Sequence, residues 1–110
     1  MSNKDPHYFT HTVLFWMNEP ENEEHKEQLK KGLLQLIASS EYSKMGHVGT
    51  PAGTDRPVVD NTYDFSLLVT FESASDQDKY QVEPAHKAFI EECQHTWSRV
   101  QIFDSISVVK

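Results

Sequence analysis

Cysteine is nearly absent: Cys93 is the only one in 110 residues. A lone thiol closes no internal disulfide, so nothing argues for an oxidising compartment. Basic residues are also few. Ten Lys and Arg face 17 Asp and Glu, giving a net charge of -7, and no basic run exceeds Lys30-Lys31. An acidic surface repels phosphate backbones and anionic lipid, which argues against nucleic acid and membranes as partners. No apolar run nears the roughly 20 residues of a membrane span. The stretch Met1-Ser2-Asn3-Lys4-Asp5-Pro6 lacks the apolar segment of a signal peptide. The expected location is therefore cytoplasmic. Glycine is sparse too, and Gly46, Gly49 and Gly53 precede no helical pattern, so no phosphate-cradling loop is expected. The histidines show neither a short Cys/His ligand pair nor a His-Glu-x-x-His spacing. A metal held by His11 and His86 would need a third ligand that the sequence does not offer. Ser66 and Ser98 lack the surroundings of a nucleophile elbow. Neither a metal nor any other cofactor is expected.

What remains is an ordinary globular composition, 37% hydrophobic and 25% charged. The length suits one domain over residues 1–110, with its core over about 8–108. Residues 8–17 alternate like a strand. Phe9, His11, Val13, Phe15 and Met17 share one face, and Leu14 and Trp16 lie on the other. Asn18-Glu19-Pro20 breaks it, and Asn18 or Asn22 caps a helix over about 21–39 with Leu29, Leu33, Leu36 and Ile37 as its stripe. Gly32 interrupts that helix, which suggests close packing against the sheet or room for something bound. Residues 44–50 read as a weaker strand and 51–61 as a loop. Residues 62–71 are the clearest strand, with Tyr63, Phe65, Leu67, Val69 and Phe71 on one face. A short helix over 73–81, capped by Ser73 or Ser75, precedes a second helical piece from Pro84 to about Trp97. Residues 99–109 close the chain as a strand, with Val100, Ile102, Ile106 and Val108 on one face.

The order βαββαβ predicts a ferredoxin-like α+β sandwich: a four-stranded antiparallel sheet with both helices on one face. The other face would then carry Leu14, Trp16, Leu68, Phe103 and Val109. That much uncovered apolar surface predicts a homodimer joined sheet to sheet.

His86 heads a helical stripe of Ile90, Cys93 and Trp97, so it points inward. In this fold His11 faces the same sheet–helix space, and Tyr80 reaches it from the short helix. Two imidazoles and a phenol in an apolar setting are costly unless hydrogen-bonded. They either complete a core by bonding each other or backbone, or they bind a small phenolic or carbonyl compound, with histidine as base and tyrosine as donor. The expected cavity lining is Phe9, Val13, Leu33, Phe65, Phe89, Ile90 and Trp97. His7, His25, His47 and His95 are weaker candidates, with His25 placed on the solvated side of the first helix. Cys93 reads as a small buried hydrophobe.

Five stretches together resemble the stress-responsive dimeric α/β-barrel (Dabb) family. They are His11-Thr-Val-Leu-Phe, Tyr63-Asp64-Phe65, Val69-Thr-Phe71-Glu72-Ser73, Tyr80-x-x-x-Pro84-Ala85-His86-x-x-Phe89 and Val100-x-Ile102-Phe103-Asp104. The resemblance implies a ferredoxin-like protomer, a dimeric α+β barrel and no cofactor. The family includes plant stress-induced proteins and a polyketide cyclase that performs an aldol condensation. By that resemblance His86 is the base, Tyr80 helps position substrate, and His11 and Trp97 line the cavity. Two positions depart from the pattern. Glu83 stands where the family motif has a first histidine, and Leu33 stands near a tyrosine of the cyclase. The function expected is binding of a small aromatic or acyl compound, with a cyclase-like reaction or a purely structural stress-related dimer as alternatives.

Overall fold

A computed structural model describes residues 5–109. Strand β1 (Phe9–Met17) leads to helix α1 (Glu23–Ser39), then β2 (Met45–Gly49), β3 (Phe65–Phe71), α2 (Ala74–Gln81), α3 (Pro84–Cys93), a 3-10 turn over Gln94–Thr96, and β4 (Trp97–Ile106). The strands form one antiparallel sheet in the order β2-β3-β1-β4. This is the expected ferredoxin-like βαββαβ arrangement, with the second helix divided at Val82 and Glu83.

Local chemistry sets the helix starts. Asn22 caps α1 by accepting from the backbone N–H groups of Glu24 and His25, and Ser73 caps α2 by accepting from that of Asp76. Pro84 opens α3, where its missing N–H costs nothing. Strict alternation along β1 buries His11, Val13, Phe15 and Met17 under the helices. Leu29, Leu33 and Leu36 of α1 close over them and over the inner face of β3.

Several boundaries differ from the sequence reading. Tyr63 leaves the inner face of the third strand, because β3 begins only at Phe65. Its ring instead meets Trp16 at 6.5 Å on the opposite side of the sheet. Asp64 bends the chain there, accepting the Met17 N–H at 2.7 Å while its own N–H donates to the Phe15 carbonyl. Trp97 is not the end of a helical stripe. The helix stops at Cys93, and Trp97 opens β4 after the 3-10 turn. Val108 and Val109 lie beyond the last strand, so Val109 does not belong to the outer sheet face. Gly32 packs against α3 rather than the sheet: a Cβ there would press on Cys93 Sγ and Phe89. His25 is half-buried, its ring 5.2 Å from that of His95.

The two faces of the sheet are unequal. Cross-strand register places Leu14, Trp16, Leu68 and Phe103 on the side away from the helices. The Cα envelope measures only 18 Å in its thinnest direction, as one sheet and one helical layer require. On the helix side, β4 is left largely uncovered, with Ile102 47% and Ile106 55% exposed. Asp104 belongs to this inner face, directly opposite His11.

Candidate functional site

His11 sits mid-strand and is 4% exposed. Its Nδ1 lies 2.6 Å from Asp104 Oδ1, the register partner on β4. A carboxylate only accepts, so Nδ1 carries the hydrogen of this bond. Of the two alternatives drawn from the sequence, the core-completing one paired His11 with the other histidine or backbone; the partner is a side-chain carboxylate. The His11 ring then meets Tyr80 edge-on at 6.0 Å, and Tyr80 meets His86 edge-on at 5.2 Å. The structure thus brings all three predicted residues together, with Asp104 as a fourth.

Their electrostatics differ. Tyr80 is 1% exposed, and its hydroxyl has no hydrogen-bond partner among the described residues. Burial pushes its pKa well above the ordinary phenol value, with the Glu83 charge adding to the effect. It therefore stays a neutral donor at physiological pH. His86 is half-buried at the start of α3. Burial first, then the charge of His11, pulls its pKa below the ordinary 6.5, while Glu83 acts in the opposite direction. His86 is thus neutral and basic at neutral pH. A neutral imidazole beside a neutral phenol is the minimal equipment for moving a proton and stabilising the oxyanion that results.

The expected lining residues divide. Val13, Leu33, Phe65 and Phe89 are buried in the core, with Phe9, Ile90 and Trp97 packed against it. Trp97 keeps the neighbourhood predicted for it although it arrives from a strand, its ring stacked on Phe89 at 5.6 Å and tilted against Phe15 at 5.1 Å. One groove opens elsewhere in the protomer. It holds about 710 Å3 between α1 and the α2–α3 joint, and of the expected lining residues only Phe89 borders it. Leu33, fully buried, offers no polar atom. Cys93 is buried with its thiol pushed up to about 11, chiefly by burial, which leaves it unreactive.

Two functional candidates escaped the sequence reading. Asp104 interrupts the apolar face of Val100, Ile102 and Ile106 at strand spacing, a signal that was there to be used. Glu83 is buried and its carboxylate is fully bonded to the turn after α1, which nothing in the local sequence announces. Among the described residues, no group of three or more His, Cys, Asp or Glu is placed to hold a metal ion. No helix among them is long and apolar enough to cross a membrane.

A ferredoxin-like sheet, helices on one face and a buried histidine–tyrosine cluster between the layers define the class: an α+β protein with the groups for acid–base chemistry. Residues 9–107 match the Stress Responsive A/B Barrel Domain (Dabb), and the chain belongs to that family. No curated protein matches it. Among solved structures, a hydroxynitrile lyase from Passiflora edulis is 17% identical, covering 96% of this chain and 98% of that one, with a TM-score of 0.76. A dimeric ferredoxin-like protein of unknown function from Thermobifida fusca is 18% identical, covering 96% and 100%, with a TM-score of 0.75. An Arabidopsis thaliana protein is 24% identical, covering 93% and 97%, with a TM-score of 0.75. At these identities the likeness is one of fold.

Proposed function

We propose that this protein binds a small aromatic or acyl carbonyl compound beside Tyr80 and His86 and catalyses proton transfer on it. The unpartnered, buried hydroxyl of Tyr80 carries this reading. Such a group is expensive to bury, and a ligand carbonyl oxygen is the partner it lacks. In the step proposed, neutral His86 removes a proton from the carbon next to the carbonyl, and the electron pair moves onto oxygen. The Tyr80 O–H stabilises that enolate. The proton held by His86 is then returned to carbon, or to the alkoxide formed when the enolate attacks a second carbonyl, as in an aldol cyclisation. Asp104 accepts the His11 Nδ1 hydrogen and so fixes the orientation of that ring beside Tyr80. The Passiflora lyase shares the fold, so the scaffold accommodates catalysis.

The protein works as a homodimer through the outer sheet face, where Leu14, Trp16, Leu68 and Phe103 lie. The Thermobifida relative in fold is described as dimeric. Side-chain NMR tests the binding site. A panel of aryl ketones, phenols and acyl esters should perturb the ring signals of His11, His86 and Tyr80 together, and Tyr80→Phe should weaken binding of the hits about tenfold, one lost hydrogen bond. If no compound moves these three rings while the chain is folded, the cluster is structural and the proposal fails.

A further inference from the structure

A buried carboxylate sits at the joint between the two helices that supply Tyr80 and His86. Glu83 is 8% exposed. One carboxylate oxygen accepts the Ser40 hydroxyl at 2.7 Å, and the other accepts the Glu41 backbone N–H at 2.9 Å. Both donors belong to the turn that ends α1, where Ser40 is the cap and donates its own N–H to the Leu36 carbonyl. Ser40 Oγ in turn accepts the N–H groups of Tyr42 and Ser43 at 3.3 Å each. The main chain of Glu83 is equally committed. Its N–H donates to the Tyr80 carbonyl at 3.2 Å, and its carbonyl accepts the His86 N–H at 3.0 Å and the Lys87 N–H at 3.1 Å. Tyr80 and His86 therefore stand three positions to either side of one clamped residue.

The use of this carboxylate is unusual for its position. A side chain at a helix N-cap normally turns onto the free N–H groups of its own first turn. Glu83 is the N-cap of α3 and makes no such bond. It reaches across to a different helix instead, and burying a carboxylate is tolerated only when its oxygens are satisfied. Two acceptor oxygens meet two donors here. A carboxamide would set its NH2 against one of those donors, and an imidazole offers a single acceptor.

We propose that Glu83 is a positioning residue that fixes the spacing of Tyr80 and His86 by tying the α2–α3 joint to the end of α1. The inference rests on reading those two side chains as the acid–base pair. It has an electrostatic consequence besides the mechanical one. The groups that act on His86 are His11 and Glu83, with opposite effects, and only Glu83 raises its pKa. Removing the charge should therefore lower the His86 titration midpoint, a change that loss of packing alone would not dictate.

The test is NMR on the full chain without ligand. The His86 ring titration and the Tyr80–His86 ring NOE are compared in the wild type, Glu83→Gln and Glu83→Ala. The expected result is a downward shift of the His86 midpoint in both variants and a weakened ring NOE, greatest in Glu83→Ala. Should Glu83→Ala fail to fold, Glu83→Gln, which retains one acceptor and the side-chain volume, still carries the comparison. A folded Glu83→Gln protein with the wild-type midpoint and the wild-type NOE would overturn the proposal. These readouts need no substrate. A shifted midpoint and weakened NOE would support the positioning role even if ligand screening fails, and unchanged ones would defeat it even if His86→Ala abolishes activity.

Discussion

Burying a phenol hydroxyl without a partner costs about 1–3 kcal/mol, and Tyr80 bears that cost in the middle of the cluster. Tyr80→Phe deletes the orphan oxygen and leaves the ring contacts with Phe71, His11 and His86 intact. Chemical denaturation should find the variant at least as stable as the wild type, and more stable by up to about 1 kcal/mol, although binding at the site weakens. A marked loss of stability would mean that the hydroxyl has a structural partner. His86 makes a second prediction at this scale. Its folded pKa lies below its ordinary 6.5, so the unfolded chain takes up this proton first as pH falls. The stability linked to His86 is complete above about pH 6.5 and is lost as pH falls through the lower folded value. Melts between about pH 5 and 7 should therefore show a smaller pH dependence in His86→Ala than in the wild type. The same sign holds for chemistry that needs the neutral base: its acid limb lies below the ordinary histidine value.

The α1–α3 contact depends on the absence of a side chain at Gly32, where any Cβ would crowd Cys93 and Phe89. Gly32→Ala gains about 1 kcal/mol of helix propensity but overpacks the contact with Cys93 and Phe89, at a cost of roughly 1–3 kcal/mol. The net expectation is destabilisation. Removing the obstructing sulfur should reverse the sign, so that Gly32→Ala stabilises in a Cys93→Ala background. A double-mutant cycle by urea titration reads this directly, and additive effects would show that the two positions do not touch. Much of the secondary structure is legible in the sequence itself. Alternation along β1 gave the inner face correctly, and His11 with it, because a period of two has one solution. Asn22 and Ser73 were among the cap candidates because their side chains compete for helix-end N–H groups. The limits of the last elements were misplaced because helix period ran on through Cys93 to Trp97, where a 3-10 turn intervenes. Tyr63 fell on the wrong face because the bend at Asp64 comes from a tertiary bond to the Met17 N–H. Glu83 was visible as a departure from the family motif, but its bonds to Ser40 and Glu41 join distant segments that local pattern cannot pair.

The whole molecule is one sheet with helices on one side, and the bare face is the one proposed to join two copies. Trp16 on that face stacks against the Arg99 guanidinium at 4.1 Å and donates to the Thr62 hydroxyl at 3.0 Å. Phe103, 59% exposed in the single chain, has no such support. If two copies associate through this face, Phe103→Asp buries a charge against the partner. It should convert the dimer to monomer in sedimentation velocity. A wild-type sedimentation coefficient for the variant would place the interface elsewhere. Dimer formation through the outer face leaves the histidine–tyrosine cluster on the other side of the sheet, so the monomeric variant should still bind ligand at His86.

On the function proposed above, Tyr80 and His86 move a proton on a small carbonyl compound. The most direct measurement is exchange of the hydrogen next to the carbonyl for solvent deuterium, followed by NMR on compounds that bind at the cluster. Exchange should be catalysed by the wild type and reduced by about 10²–10⁴-fold in folded His86→Ala. Exchange at the wild-type rate in that variant, or no catalysed exchange with any compound that binds beside Tyr80, would contradict that function.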